Sequence, residues 1–151
     1  VSGACEPLHI EHINSLSAAT AKPLCAFVLR AVQGVRYPGA TPTQIYDELW
    51  RNAENPGWGL FVGYIGRHPR ALGLVILPTV LMMAPQVPIA YNEGPPQLMR
   101  MMGMRLREWL VAHGHDRFLG WNIHHSDAAF MRAFRHAGTP RLIGTLVEFR
   151  L

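Results

Sequence analysis

Lysine is nearly missing from this chain. Lys22 is the only one, and every other basic side chain is an arginine. A GC-rich genome produces the same skew, so it is not read as a functional signature. Cysteine is scarce too. Cys5 and Cys25 are too few for a disulfide scaffold and show no CxxC or zinc-ligand spacing. Cys25 lies in an apolar helical pattern and reads as a small core side chain, not a nucleophile. Long hydrophobic runs are also lacking. The longest, about Leu72 to Ala84, is broken by Gly73 and Pro78 and falls short of the roughly 20 residues a membrane span needs. The opening VSGACEPLHIEH has no basic segment leading into an apolar core, so no signal peptide is expected. With no internal repeat, low-complexity tract or dividing linker, the expectation is one soluble, cytoplasmic domain over residues 1–151.

What is present is globular. Apolar residues make up 49% and charged residues 16%, and the length allows one real core. The formal charge is +4 and the pI about 9.6, with arginines crowding the C-terminal half. Such a bias attracts phosphate-bearing ligands. No run of basic residues interleaved with aromatics appears, so nucleic acid is not the expected partner.

Periodicity divides the chain into elements. Leu8 and Ile10 alternate with polar residues as a first strand, and Asn14 to Thr20 reads as a loop. Leu24, Phe27, Val28, Ala31 and Val32 form one helical stripe between Pro23 and Gly34. Thr41 then caps a helix with Pro42 at its first position and Ile45, Leu49 and Trp50 inward, stopping near Asn55-Pro56-Gly57. WGLFVGYI and ALGLVILP are two strands joined by the five residues Gly66 to Arg70, with Gly59, Gly63 and Gly73 marking bulges or close backbone approach. VLMMAP is an apolar connector. QVPIAYN is a third strand of this group, and Pro88 inside it requires an edge, a bulge or a splayed end. After Pro95-Pro96 a helix buries Leu98, Met102, Leu106, Trp109, Leu110 and His113 and closes at Gly114. Phe118 to His124 is a strand, Ser126 caps a helix ending at Gly138, and Arg141 to Leu151 is a final strand. The class is α+β, a mixed, mostly antiparallel sheet of about six strands with about four helices, in the order β-α-α-β-β-β-α-β-α-β.

This order and these lengths resemble the GNAT superfamily, the Gcn5-related N-acetyltransferases, over essentially the whole chain. The C-terminal pattern N-x-x-A-x-x-x-Y-x-x-x-G corresponds to the segment from Asp127 to Gly138, with Asp127 for Asn, Phe130 for Ala, Phe134 for Tyr and Gly138 preserved. The resemblance implies acetyl-CoA in a gap where the fourth and fifth strands splay, its pantetheine along the backbone of Ala90, Tyr91 and Asn92. It also places Asp127 among the cofactor contacts and the pyrophosphate at an R/Q-x-x-G-x-G/A loop opening the next helix. That loop must offer free N–H donors without side chains in the way. Two registers fit. One begins near Gly94 and uses Gln97, where Pro95 and Pro96 remove donors and Met99 replaces a glycine. The other runs from Arg100 to Arg105 and uses Arg100 and Gly103.

The family's chemistry needs a base for the acceptor amine and an acid for the thiolate, often a tyrosine. Phe134 cannot donate a proton. Glu93 and Tyr91, at the end of the splayed strand, and His124 or Ser126, at the end of the next, are the candidate catalytic residues. No metal is expected, because neighbours His124 and His125 point to opposite strand faces and lack a third ligand. Two functions follow: an acetyl-CoA-dependent N-acetyltransferase acting on an amine, or an inactive GNAT-fold binding or assembly protein, such as an internal virion component of a short-tailed phage. In the second case the Met- and Pro-rich segments would meet a protein partner or another copy.

Overall fold

The computed structural model describes residues 5–34, 39–80 and 84–120, together with Arg132, Arg135 and Gly138. Within them the order is β1 (Leu8–His12), α1 (Leu16–Ala19), α2 (Lys22–Gly34), α3 (Pro42–Arg51), β2 (Trp58–Ile65), β3 (His68–Ile76), β4 (Gln86–Asn92), α4 (Pro96–Ala112) and β5 (Leu119–Gly120). The described strands form one open sheet in the order β1-β2-β3-β4-β5. The first four pair antiparallel, and β5 joins β4 in parallel after the α4 crossover. The expected sixth strand and the helix capped by Ser126 lie outside the described residues.

Helices cover both faces, which is why β2 and β3 are apolar almost throughout. On one face α2 and α3 pack Leu24, Phe27, Val28 and Leu49 against Leu60, Val62, Leu72, Leu74 and Ile89. On the other, α4 sets Leu98, Met102, Leu106 and Trp109 against Phe61, Ala71, Val75 and Val87. The buried stripe of α2 is the one its spacing predicts. In α3 only Leu49 is fully buried, with Ile45 and Trp50 partly so. Thr41 and Gln44 form a complete capping box there.

Three details differ from the sequence reading. Asn14 to Thr20 is not all loop, because the Ser15 side chain accepts from the Ala18 N–H and starts α1. Four residues are too few for an amphipathic period to reveal them. The β2–β3 connection is two residues, Gly66 and Arg67, with Gly66 at φ +59°; a tighter turn lets His68 and Pro69 join the strand. His113 is exposed, not buried. It follows the helix as its C-cap, its ring 4.1 Å from that of Trp109 and its Nδ1 2.7 Å from the Trp109 carbonyl.

Two bulges shape the sheet. In β3, Arg70 is the extra residue where the partner of β2 steps from Ala71 to Pro69. In β4, Val87 and Pro88 together face Val75 alone. The bulge is one of the solutions that Pro88 required.

Candidate active site

The described pairing of β4 with β5 is Gln86 with Leu119 and Val87 with Gly120. From Ile89 to Asn92, β4 continues against β3 and delivers Ala90, Tyr91 and Asn92 to the start of α4. Ala90 packs toward α4 and Tyr91 toward α2. Tyr91 rests its ring near Phe27, with centroids 6.2 Å apart, and crowds Gly34, where an added Cβ would lie 3.1 Å from its ring.

Glu93 is the hub of the strand end. Arg30 of α2 donates to both carboxylate oxygens, Arg70 donates from 3.2 Å and the Tyr91 hydroxyl from 3.1 Å. The β3 bulge puts Arg70 within reach, and its carbonyl accepts the Glu93 N–H at 2.9 Å. Hydrogen bonding from Arg30 is the main reason the Glu93 carboxyl titrates below the usual range. Burial first, and the hydrogen bond to Glu93 second, push the Tyr91 phenol upward. A proton on Glu93 would therefore displace bonds already made.

The turn into α4 is held by Asn92. Its Oδ1 accepts the Gly94 N–H at 2.9 Å, and its Nδ2 donates to the carbonyls of Gly94 and Pro95. Asn-x-Gly is a local side-chain turn, so the sequence carried this signal. Pro95 is the N-cap without a side-chain bond and Pro96 follows it. Neither has an N–H, and the Leu98 N–H already serves the Pro95 carbonyl. An added Cβ on Gly94 would come within 3.1 Å of Leu98 and 3.3 Å of Arg70. Gln97 is exposed at this helix start, while Arg100 lies one turn further along. Gly103 is buried about two turns inside α4. The helix therefore opens at Pro96, two residues after Gly94. His124, Ser126 and Asp127 lie outside the described residues.

Sequence reasoning did not find a second polar cluster, at the opposite end of β1. His12 stacks on Phe61 at 4.8 Å and meets the edge of Trp109 at 6.2 Å. Burial first, then the charge of Arg105 and the neighbouring His113, lowers its pKa. Among the described residues no group of three or more His, Cys, Asp or Glu side chains is placed to hold a metal. No described helix is long and apolar enough to cross a membrane.

The fold is that of the GNAT acetyltransferases. No protein-family model matches the chain, and no curated protein matches it. Among solved structures, it is similar to glucosamine-6-phosphate N-acetyltransferase from Arabidopsis thaliana, at 11% identity, TM-score 0.66, covering 96% of this chain and 100% of that one. An aminoglycoside acetyltransferase from an uncultured soil metagenomic sample, in complex with sisomicin, also gives 11% and 0.66, over 95% and 96%. The acetyltransferase of GNAT family from Streptococcus pneumoniae gives 13% and 0.62, over 87% and 84%.

Proposed function

We propose that residues 1–151 form a single domain that transfers an acetyl group from acetyl-CoA directly to an amine, with a weakened hold on the CoA phosphates. The observation that carries this reading is the course of β4. It stays paired with β3 as far as Asn92 and brings the backbone of Ala90, Tyr91 and Asn92 to the mouth of α4. This strand would hold the pantetheine. At the helix start the prolines remove donors, so Gln97 and the nearby Arg100 are the groups left to meet phosphate.

In the reaction a C–N bond forms as the thioester C–S bond breaks. Starting from an ammonium, the nitrogen gives up two protons, one to solvent or a base and one to the leaving thiolate. Tyr91 is our candidate donor for that second proton. Glu93 is better suited to positioning than to proton transfer, because a depressed pKa makes a poor base and its oxygens are engaged. His124 and Ser126 remain candidates for the base, and Asp127 for a CoA contact.

Calorimetric titration with acetyl-CoA tests the reading. Binding in the micromolar to low millimolar range is expected, and no heat of binding at millimolar ligand would overturn it. That result would favour the second reading, an inactive GNAT-fold binding or assembly protein such as a virion component. Its support is the same pair of donorless prolines at the start of α4.

A further inference from the structure

A cavity of about 430 Å³ opens on the α3 side of the sheet, away from α4. Its walls are Ile45 and Leu49 of α3, Trp58 of β2, Leu74 and Ile76 of β3 and Ile89 of β4. Pro88, at the β4 bulge, also lines it. The volume falls in the range of small-molecule sites. Polar side chains are few. Gln44 and Glu48, one turn apart on α3, are the ones among the described lining residues, and Glu48 alone is charged.

This lining discriminates. An anionic acceptor such as a sugar phosphate would find no described cation in the wall and would face the Glu48 carboxylate. A polyhydroxylated or polycationic acceptor would desolvate many polar groups against isoleucine and leucine, with too few partners among the described lining residues to satisfy them. An apolar body with one positive end loses nothing of the kind. The Glu48 carboxylate, half exposed, already accepts from Arg51 at one oxygen at 2.9 Å and from Asn52 at the other at 3.0 Å. A carboxylate has about four acceptor positions, so room remains for an ammonium. Trp58 belongs to the same wall, and an indole ring attracts a cation placed over its face.

We propose that this cavity binds a small primary amine with a single positive charge and an aromatic or aliphatic body. Resting on the transfer reaction proposed above, we take that amine to be the acceptor. Its body lies on Trp58, Ile76 and Ile45. Glu48 recognises the ammonium before deprotonation, and the Pro88–Ile89 wall joins the cavity to the strand that would carry the thioester.

The test uses the intact chain and four probes: 2-phenylethylamine, its uncharged counterpart 2-phenylethanol, spermidine and glucosamine 6-phosphate. Calorimetry without acetyl-CoA should show the aromatic amine binding at least about tenfold more tightly than each of the others, the gain of one charge-assisted hydrogen bond. Glu48→Gln should remove the advantage over the alcohol and leave alcohol binding unchanged. Ile76→Thr should weaken both aromatic probes alike, and thermal melts of both variants confirm folding. Equal affinity for amine and alcohol, tighter binding of the sugar phosphate, or an unaltered preference in Glu48→Gln would overturn the proposal. Thiol release with acetyl-CoA then separates the two readings. Selective amine binding without acetylation keeps the ligand class and removes the acceptor role. Acetylation of spermidine or the sugar phosphate instead keeps the transferase and removes this assignment of the cavity.

Discussion

Arg30 closes a fork on Glu93 from 63 positions away, Nε lying 3.1 Å from Oε2 and Nη2 2.6 Å from Oε1. Side-on bidentate pairing is the strongest geometry available to these two groups. It ties the middle of α2 to the end of β4. The Arg30 side chain is nonetheless 49% exposed and that of Glu93 24%, so solvent screens much of the attraction.

Glu93→Gln should therefore cost about 1 kcal/mol at neutral pH. The Glu93 carboxyl is lowered from its ordinary 4.5, chiefly by the Arg30 hydrogen bond. Its contribution is present above that value and is lost as pH falls through the lower folded-state pKa. Urea melts from pH 7 to pH 3 should show the variant losing less stability on acidification than the parent. If Glu93 positions the strand end, the variant's transfer rate keeps the parent's pH profile; loss of the acidic limb would instead identify it as the general base.

Tyr91→Phe removes the phenol while keeping the ring beside Phe27. Loss of a general acid lowers kcat by about a hundredfold or more, with KM for acetyl-CoA little changed. A purely structural role predicts a lower melting temperature and an unaltered kcat. Stopped-flow thiol release together with a thermal melt distinguishes the two.

His12 gives stability a separate dependence at higher pH. Its pKa is lowered from 6.5 by burial and then by Arg105 and His113. The neutral ring is the stable form, so stability is fully present above 6.5 and falls as pH drops toward the lower folded-state value. His12→Phe should flatten the stability profile below about pH 6.5. An NMR titration of the His12 ring with a pKa at or above 6.5 would contradict this.

Two of the glycines facing α4, Gly59 and Gly73, have different neighbours. At Gly59 an added Cβ would come within 2.8 Å of Phe61 and 2.7 Å of Val75, with Trp109 at 3.2 Å. At Gly73 it would meet the Met102 Sδ at 2.8 Å, on a flexible thioether. Gly59→Ala should destabilise by about 1–3 kcal/mol, the usual range for overpacking, and Gly73→Ala by clearly less. Chemical denaturation of the two variants decides the order.

Thr41→Ala removes half of the capping box on α3. A loss of about 1 kcal/mol is expected, together with weaker amine binding, because the same turn of α3 carries Gln44 and Ile45 into the cavity wall. Thr41→Ser should restore both.

Local chemistry made much of the frame readable. The Thr41-Pro42 start of α3, the Pro96 start of α4, Gly114 at φ +81° beyond its end and the bounds of β2 and β4 all follow from caps, turn residues and alternation. Relationships that depend on the folded chain were not readable. Nothing near Glu93 in sequence announces Arg30, and His12 meets Trp109 only once β1 has paired with β2. The cavity joins α3 to three strands, so no single segment displays its apolar wall. Asn92 is the intermediate case, since its Asn-Glu-Gly-Pro context spells a side-chain turn while the family resemblance implies a backbone contact.

The bulge at Val87 and Pro88 also acts as a parity device. Without it, strict alternation would put Ile89 and Tyr91 on the same face as Val87, toward α4, and turn Ala90 toward α2. With one extra residue the phase reverses, so Tyr91 meets Phe27 and Glu93 while the small Ala90 lies against α4. Removing a single residue there would invert the chemistry of the strand end without altering any residue in it. In this strand, counting matters as much as composition.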